Sequence, residues 1–166
     1  MDRFVLRLSL YQPDIAQNTG TILRMAACLG LGVDVIGPAG FDMTDRNLRR
    51  AGLDYLDHVQ ITRHVDFAAF EGDRRKSGRR LVLLTTRGAV THTHFKFAPN
   101  DTLLLGRESA GVPQEVHDIA DARIRIPLRL HLRSLNIAVA AAIVVGEALR
   151  QTDGFPMMAP EVQQDL

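Results

Sequence analysis

The sequence predicts an α/β fold: a single domain with a mainly parallel sheet flanked by helices. Three observations carry that reading. Strand-like and helix-like hydrophobic spacings alternate along the chain. Two apolar runs, RLVLLTT at 80–86 and DTLLLG at 101–106, are nearly unbroken, as expected of strands covered on both faces. The 166 residues are 46% hydrophobic and 23% charged, enough for one real core, with no repeat, low-complexity tract or linker.

The elements follow in order. FVLRLSL, residues 4–10, alternates apolar and polar positions and reads as the first strand, not as a signal peptide. Asn18 precedes TGTILRMAACLG, where Ile22, Leu23, Ala26, Ala27 and Leu29 keep helical spacing. Asn18 fits the N-cap position and Gly30 the C-cap. GVDVIGP, 32–38, is a second strand closed by Gly37-Pro38. Thr44 opens a short basic helix, TDRNLRRAGL, and HVQIT, 58–62, is a third strand. VDFAAFEGDRR is helical from Val65, with Phe67 and Phe70 on one face. RLVLLTT and DTLLLGRE are two buried strands separated by a turn at Gly88. Pro113 is placed to be the first residue of the helix PQEVHDIA. ARIRIPL is a sixth strand, and residues 137–151 form the last helix. The domain is expected over 1–152, with a frayed or surface-packed tail at 153–166.

Several function classes are excluded. The longest uncharged stretch, 134–146, is too short for a bilayer, so no membrane partner is expected. The single Cys28 permits no internal disulfide, which makes the cytoplasm the expected compartment. Its place in an apolar helix face makes it an expected core residue. His92 and His94 have no Cys or carboxylate spaced to complete a set, so no metal site is expected. There is no GKS or GKT, no GxGxxG and no GxSxG. The net charge of +1 does not announce a nucleic-acid binder. Arginines nevertheless cluster at Arg46, Arg49 and Arg50, at Arg74, Arg75, Lys76, Arg79 and Arg80, and at Arg123, Arg125, Arg129 and Arg133. These read either as solvated faces or as patches for phosphates.

In such sheets ligands sit beyond the carboxyl ends of the strands. Three segments there are unusual: Thr85-Thr86-Arg87-Gly88, the glycine-bounded GRESAG at 106–111, and the loop 127–136. The second is either a turn with a helix cap or a ligand loop presenting Glu108 and Ser109. Arg24 lies in an otherwise apolar helix. It is either a snorkelling surface residue or a guanidinium that grips a phosphate, with Asn18 and the helix-start amides adding donors. Ser134 and Asn136 read as a cap or as part of a site.

Together these segments resemble the three motifs of the SPOUT RNA methyltransferases. They are most similar to the small branch that methylates the ribose 2′-oxygen of the tRNA wobble nucleotide. The first motif appears as PDIAQNTGTILRMAACLG, the second as LLLGRESAGVP and the third as IPLRLHLRSLNIAVAAAIVVGEALRQ. FDMTDRNLRRAGLDYLDHVQITRH is similar to a stretch of that branch carrying an LRRAGLDY-like signature. The match spans residues 4–151.

The resemblance implies a trefoil-knotted sheet, which physics alone would have argued against. It implies S-adenosylmethionine bound by Leu84, Thr85, Gly106, Glu108, Ile126, Ser134 and Leu135. It implies a catalytic set of Arg24, Asn18, Glu108, Ser134 and Asn136. It also implies a homodimer packed through the first and last helices, and the tRNA anticodon stem-loop as substrate, with cytidine or a modified uridine at position 34. With strand one expected from Phe4, no N-terminal RNA-binding extension is expected, so the domain and its dimer partner must grip the RNA. The alternatives are a SPOUT 2′-O-methyltransferase acting on another RNA, such as ribosomal RNA, and a non-catalytic RNA-binding knot protein. In-line alignment would supply most of the acceleration. A guanidinium stays protonated, so Arg24 is expected to hold the target phosphate and stabilise developing alkoxide. Ser134 and Asn136 would orient the ribose or the donor's methionine part. Glu108 would position Arg24 or the donor. Two departures stand out: Ala138 where relatives often have Ser, and the basic Arg129-Leu130-His131-Leu132.

Overall fold

The computed structural model describes residues 5–50 and 54–158. The strands are β1 (Arg7–Tyr11), β2 (Gly32–Ile36), β3 (Ile61–His64), β4 (Arg80–Leu84), β5 (Val90–Thr91), β6 (Asp101–Leu105) and β7 (Ala122–Arg125). The helices are α1 (Ala16–Leu29), α2 (Asp45–Arg50), α3 (Phe67–Lys76), α4 (Gln114–Ile119) and α5 (Ile137–Thr152). Every strand pair in the seven-stranded sheet, ordered β3-β2-β1-β6-β4-β7-β5, is parallel.

Alternation along the strands divides the apolar runs between two layers. Val82, Leu103 and Leu105 join Leu8, Leu10, Val33 and Val35 beneath α1 and α5. Leu81, Leu83 and Leu104 turn the other way, onto Phe70 of α3 and Val116 of α4. A fully apolar strand is thus what a sheet covered on both faces requires.

Charge also enters the interior, always with partners. Asp34 accepts two bonds from Arg7, at 2.9 and 3.0 Å, and lies 3.0 Å from His64 Nε2. Asp101, fully buried, accepts from Arg80 at 2.7 and 2.8 Å and from the Ala98 amide at 2.8 Å. Arg74 and Arg75 both donate to Glu71 at 2.6 Å. Arg123 bonds the carbonyls of His117 and Asp118. Much of the 74–80 cluster therefore holds the fold together, whereas Arg125, Arg129 and Arg133 stay exposed.

Some expectations shift. The third strand begins at Ile61, because Leu56–His58 form a 3-10 turn and Val59 tucks into the core. Strand β5 was not foreseen: with two residues it has no periodicity to read. Helix α1 starts before Asn18, with Ile15 at the N-cap and no side chain capping it. Gly30 ends it in the left-handed conformation, as expected. Pro113 is the N-cap of α4, one position ahead of its predicted place. Cys28 is exposed, not core, because it shares the solvent-facing helical stripe of Gln17, Thr21 and Arg24. The predicted strand start at Phe4, residues 51–53 of the LRRAGLDY signature, the Arg49 side chain and the tail beyond 158 lie outside the described residues.

One connection is unusual. β4 and β5 are consecutive in the chain, yet both pair with β7, which lies between them. Residues 85–89 therefore form a strap across β7. The Thr85 amide donates to Ile124 O at 2.9 Å and the His92 amide to Arg125 O at 2.9 Å. Gly88 lies so close to β7 that a Cβ there would sit 2.4 Å from the Ile124 carbonyl carbon.

Candidate active site

A cleft of about 570 Å³ opens where the carboxyl ends of β4, β6 and β7 meet the starts of α1 and α5. That is the position expected of a ligand site in an open parallel sheet, and the volume suits a small organic molecule. Leu84 and Thr85 come from the end of β4 and its strap, Gly106 and Glu108 from the loop after β6, and Ile126, Ser134 and Leu135 from the segment before α5. All seven residues expected at the donor site line this one cleft. Ile15, Thr86, Arg107, Ser109 and Leu128 line it as well; Ser109 is a candidate donor from the sequence, Thr86, Arg107 and Leu128 lie within the unusual strand-end segments, and Ile15 was not foreseen.

The loop after β6 is closed on itself. Arg107 and Gly111 exchange backbone hydrogen bonds at 2.9 and 2.8 Å. A Cβ on Gly106 would stand 2.8 Å from Gly111 Cα. The glycine thus serves contact between the two ends of the loop, where the sequence suggested contact with a ligand.

Polar side chains join the three elements. Asn136 caps α5: its Oδ1 accepts from the amides of Ala138 at 2.9 Å and Val139 at 3.4 Å. Its Nδ2 donates to Asn18 Oδ1 at 3.0 Å. Asn18 Nδ2 in turn donates to Glu108 Oε1 at 3.4 Å. The amide of Asp14 donates to Glu108 Oε2 at 3.2 Å, and the Glu108 amide returns a bond to Asp14 Oδ1 at 3.2 Å. Ser109 Oγ donates to Asp14 Oδ2, with the Arg107 guanidinium 3.6 Å away. Cap and site are therefore one residue at Asn136. Asn18 is free for this relay because α1 begins upstream of it.

The two carboxyls of the relay are driven apart. Burial pushes the Glu108 carboxyl up from its ordinary value, and neighbouring Asp14 adds to this. Asp14 is held down at about 2, first by its hydrogen bond with Glu108 and then by Ser109. Asp14 was missed in the sequence, although the loop after a central strand is where ligand residues collect.

Arg24 does not line this cleft. It is exposed on α1, where its guanidinium lies 4.7 Å from the centre of the Tyr55 ring and donates to Tyr55 Oη at 3.5 Å. Ala138 is buried beneath α5, so a hydroxyl at its Cβ would enter the core layer. Among the described residues, no group of three or more His, Cys, Asp and Glu is placed to hold a metal ion, and no helix is long and apolar enough to cross a membrane.

Known proteins resemble this chain over most of its length. Residues 5–146 match the model of the SpoU rRNA Methylase family. A relative from Ancylobacter novellus, named tRNA (cytidine(34)-2′-O)-methyltransferase, is 61% identical over 90% of this chain and 95% of its own length. One of the same name from Escherichia coli K12 is 40% identical, covering 92% of this chain and 96% of its own. A solved structure, described as giving insights into 2-OH methylation of C/U34 on tRNA, superposes with a TM-score of 0.84 at 41% identity, over 90% of this chain and 97% of its own. The SpoU methyltransferase AviRb from Streptomyces viridochromogenes, solved in complex with AdoMet, has a TM-score of 0.80 at 29% identity, over 91% of this chain and 62% of its own.

Proposed function

The chain belongs to the SpoU rRNA methylase family, and on that footing we propose that it methylates the ribose 2′-oxygen of nucleotide 34, the wobble position of tRNA, with S-adenosylmethionine as donor. The observation that carries this reading is 61% identity, over almost its whole length, to a tRNA (cytidine(34)-2′-O)-methyltransferase.

The cleft fits the donor. Leu84, Ile126, Leu128 and Leu135 supply apolar walls, while Thr85, Ser134 and the backbone of 106–111 supply polar contacts. The bound donor contributes an electrophilic methyl group. The chain contributes alignment: the relay Asn136–Asn18–Glu108 ties α1, α5 and the loop after β6 into one rigid rim. Ser134 and Asn136 orient the ribose. Arg24, charged at any working pH, holds the target phosphate and steadies negative charge on the attacking oxygen.

The protein acts as a homodimer packed through α1 and α5. An apolar stripe on α5 supports this: Val139 and Ile143 are 50% and 40% exposed, in line with Ala142 and Gly146. The anticodon stem-loop is gripped by exposed Arg87, Arg129 and Arg133, each next in sequence to a residue that lines the cleft, Thr86, Leu128 and Ser134. The strap over β7 supports a knotted path for the chain, and the work is done in the cytoplasm.

Nucleoside mass spectrometry of tRNA from a strain lacking the gene tests the reading. Loss of 2′-O-methylation at position 34, restored by the wild-type gene, is the expected result. Unchanged tRNA with altered ribosomal RNA would refute the tRNA assignment. Arg24→Ala should bind S-adenosylmethionine normally in calorimetry yet fail to transfer tritiated methyl groups to unmodified tRNA, and normal turnover would remove Arg24 from the mechanism.

A further inference from the structure

The reaction must dispose of one proton, and the cleft offers few places for it. Among the described residues that line it, Arg107 and Glu108 alone carry ionisable side chains. Arg107, like Arg24, is a guanidinium and does not accept protons. Thr85, Thr86, Ser109 and Ser134 carry neutral hydroxyls, and Asn18 and Asn136 carry amides, all far weaker bases than a carboxylate. From this geometry, and resting on the methyl transfer proposed above, we infer that Glu108 is the general base that takes the 2′-hydroxyl proton.

Atoms and electrons balance without a further reagent. The 2′-O–H proton moves to a Glu108 carboxylate oxygen. The oxygen's electron pair forms the new O–CH₃ bond as the C–S bond breaks, and that bond's electrons remain on sulfur, which goes from sulfonium to neutral thioether. The carboxylate becomes a carboxylic acid, so the positive charge of the sulfonium and the negative charge of the carboxylate vanish together. Glu108 gives its proton to water once product leaves.

The surroundings suit that role. Each Glu108 oxygen accepts one bond, from Asn18 Nδ2 and from the Asp14 amide, which fixes the carboxylate and leaves lone pairs for an incoming hydroxyl. The charged groups around it are Asp14, from the loop between β1 and α1, and its own neighbour Arg107. Ser109 and the amides of Asn18 and Asn136 complete the shell. Burial and the proximity of Asp14 raise Glu108 toward the working pH, which makes it a stronger base than a solvated carboxylate. Asp14, held at about 2, stays ionised and does not compete for the proton.

The test pairs Glu108→Gln with Glu108→Asp. In wild-type protein without ligands, carbon-13 NMR of the labelled Glu108 carboxyl should titrate above 4.5, the ordinary glutamate value. Single-turnover methyl transfer by the wild type should fall as pH drops through that same midpoint. Glu108→Gln should slow the step about 10²-fold or more, the usual share of general base catalysis, and abolish the acid limb. Glu108→Asp should restore part of the rate. Calorimetric binding of S-adenosylmethionine and tRNA should change little, and the thermal melt of the Gln variant should drop only by the worth of the one hydrogen bond that its amide nitrogen cannot accept. A Gln variant within threefold of wild type, or a carboxyl that titrates at or below 4.5, overturns the inference. So does a rate loss matched by lost donor binding, which would make Glu108 a holding residue. Failure of the wild type to methylate tRNA at all would instead overturn the function on which the inference rests.

Discussion

Asn136 performs two tasks that substitution can separate. Asn136→Ala removes the cap of α5 and the bond to Asn18 together. Loss of an N-cap costs about 1 kcal/mol, and an exposed side-chain hydrogen bond adds about 0.5–1 kcal/mol. The sum is about 1.5–2 kcal/mol, which in a domain of this size lowers Tm by about 3–8 °C. Asn136→Asp behaves differently. Its carboxylate still accepts from the Ala138 and Val139 amides, and a negative charge suits the start of a helix. What it loses is the donor to Asn18 Oδ1, so Asn18 keeps its bond to Glu108 but loses the second anchor that fixes it there. Stability should stay within about 0.5 kcal/mol of wild type, since the cap is kept. Methyl transfer should fall about tenfold, because small misplacements at a reacting centre are costly. Urea melts and single-turnover assays on the two variants read both quantities. An Asp variant as unstable as the Ala variant would refute the capping argument. An Asp variant with full activity would refute the relay.

Other perturbations give equally definite outcomes. Gly88→Ala would put a Cβ 2.4 Å from the backbone of Ile124. It should cost about 3 kcal/mol in a urea melt and loosen donor binding in calorimetry. Asp101→Ala leaves Arg80 beside a buried gap and should cost about 3 kcal/mol, measured by the same melt. Asp14 has its pKa lowered from 3.8 to about 2, so it contributes stability that is present above 3.8 and lost as pH falls toward 2. Asp14→Asn should flatten that segment of a stability–pH curve. Tyr55→Leu removes the ring under Arg24. It should lower kcat/KM about two- to fivefold, the worth of an exposed cation–π contact, with donor affinity unchanged in calorimetry.

The sheet was legible because burial on both faces leaves a plain signature. RLVLL and DTLLL could hardly belong anywhere but a parallel interior, and the structure places them side by side as β4 and β6. The region of the cleft was legible for another reason: the segments 85–88, 106–111 and 127–136 lie beyond strand ends, where parallel sheets gather ligand groups, whereas Leu84, Gly106, Ile126 and Ser134 were singled out by the resemblance of the motifs to SPOUT methyltransferases. What stayed hidden depends on contacts distant in sequence. Asp14 means nothing until Glu108, far along the chain, is folded against it. Asn18 looked like a cap because the helix pattern begins there, and nothing local shows that the helix starts earlier and that Asn136 claims its side chain. Cys28 sat among apolar letters, yet helical phase puts it in line with Arg24. The arginines at 74–80 read either as a solvated face or as a phosphate patch, and neither reading foresaw that Glu71, Asp101 and Asp121 occupy most of them.

The strap across β7 has a consequence for synthesis. Its residues leave the ribosome well before the strand they clasp, so a growing chain carries an open hasp with nothing to close on. Only when Ile124 and Arg125 arrive do Thr85 and His92 find their hydrogen-bond partners. The same event sets Thr85 against Ile126 in the cleft wall. A chain cut short before β7 therefore has no complete donor cleft, however well its first half has folded. If the donor binds there as proposed, only a finished molecule binds it, and a partial product cannot withhold the donor from complete ones.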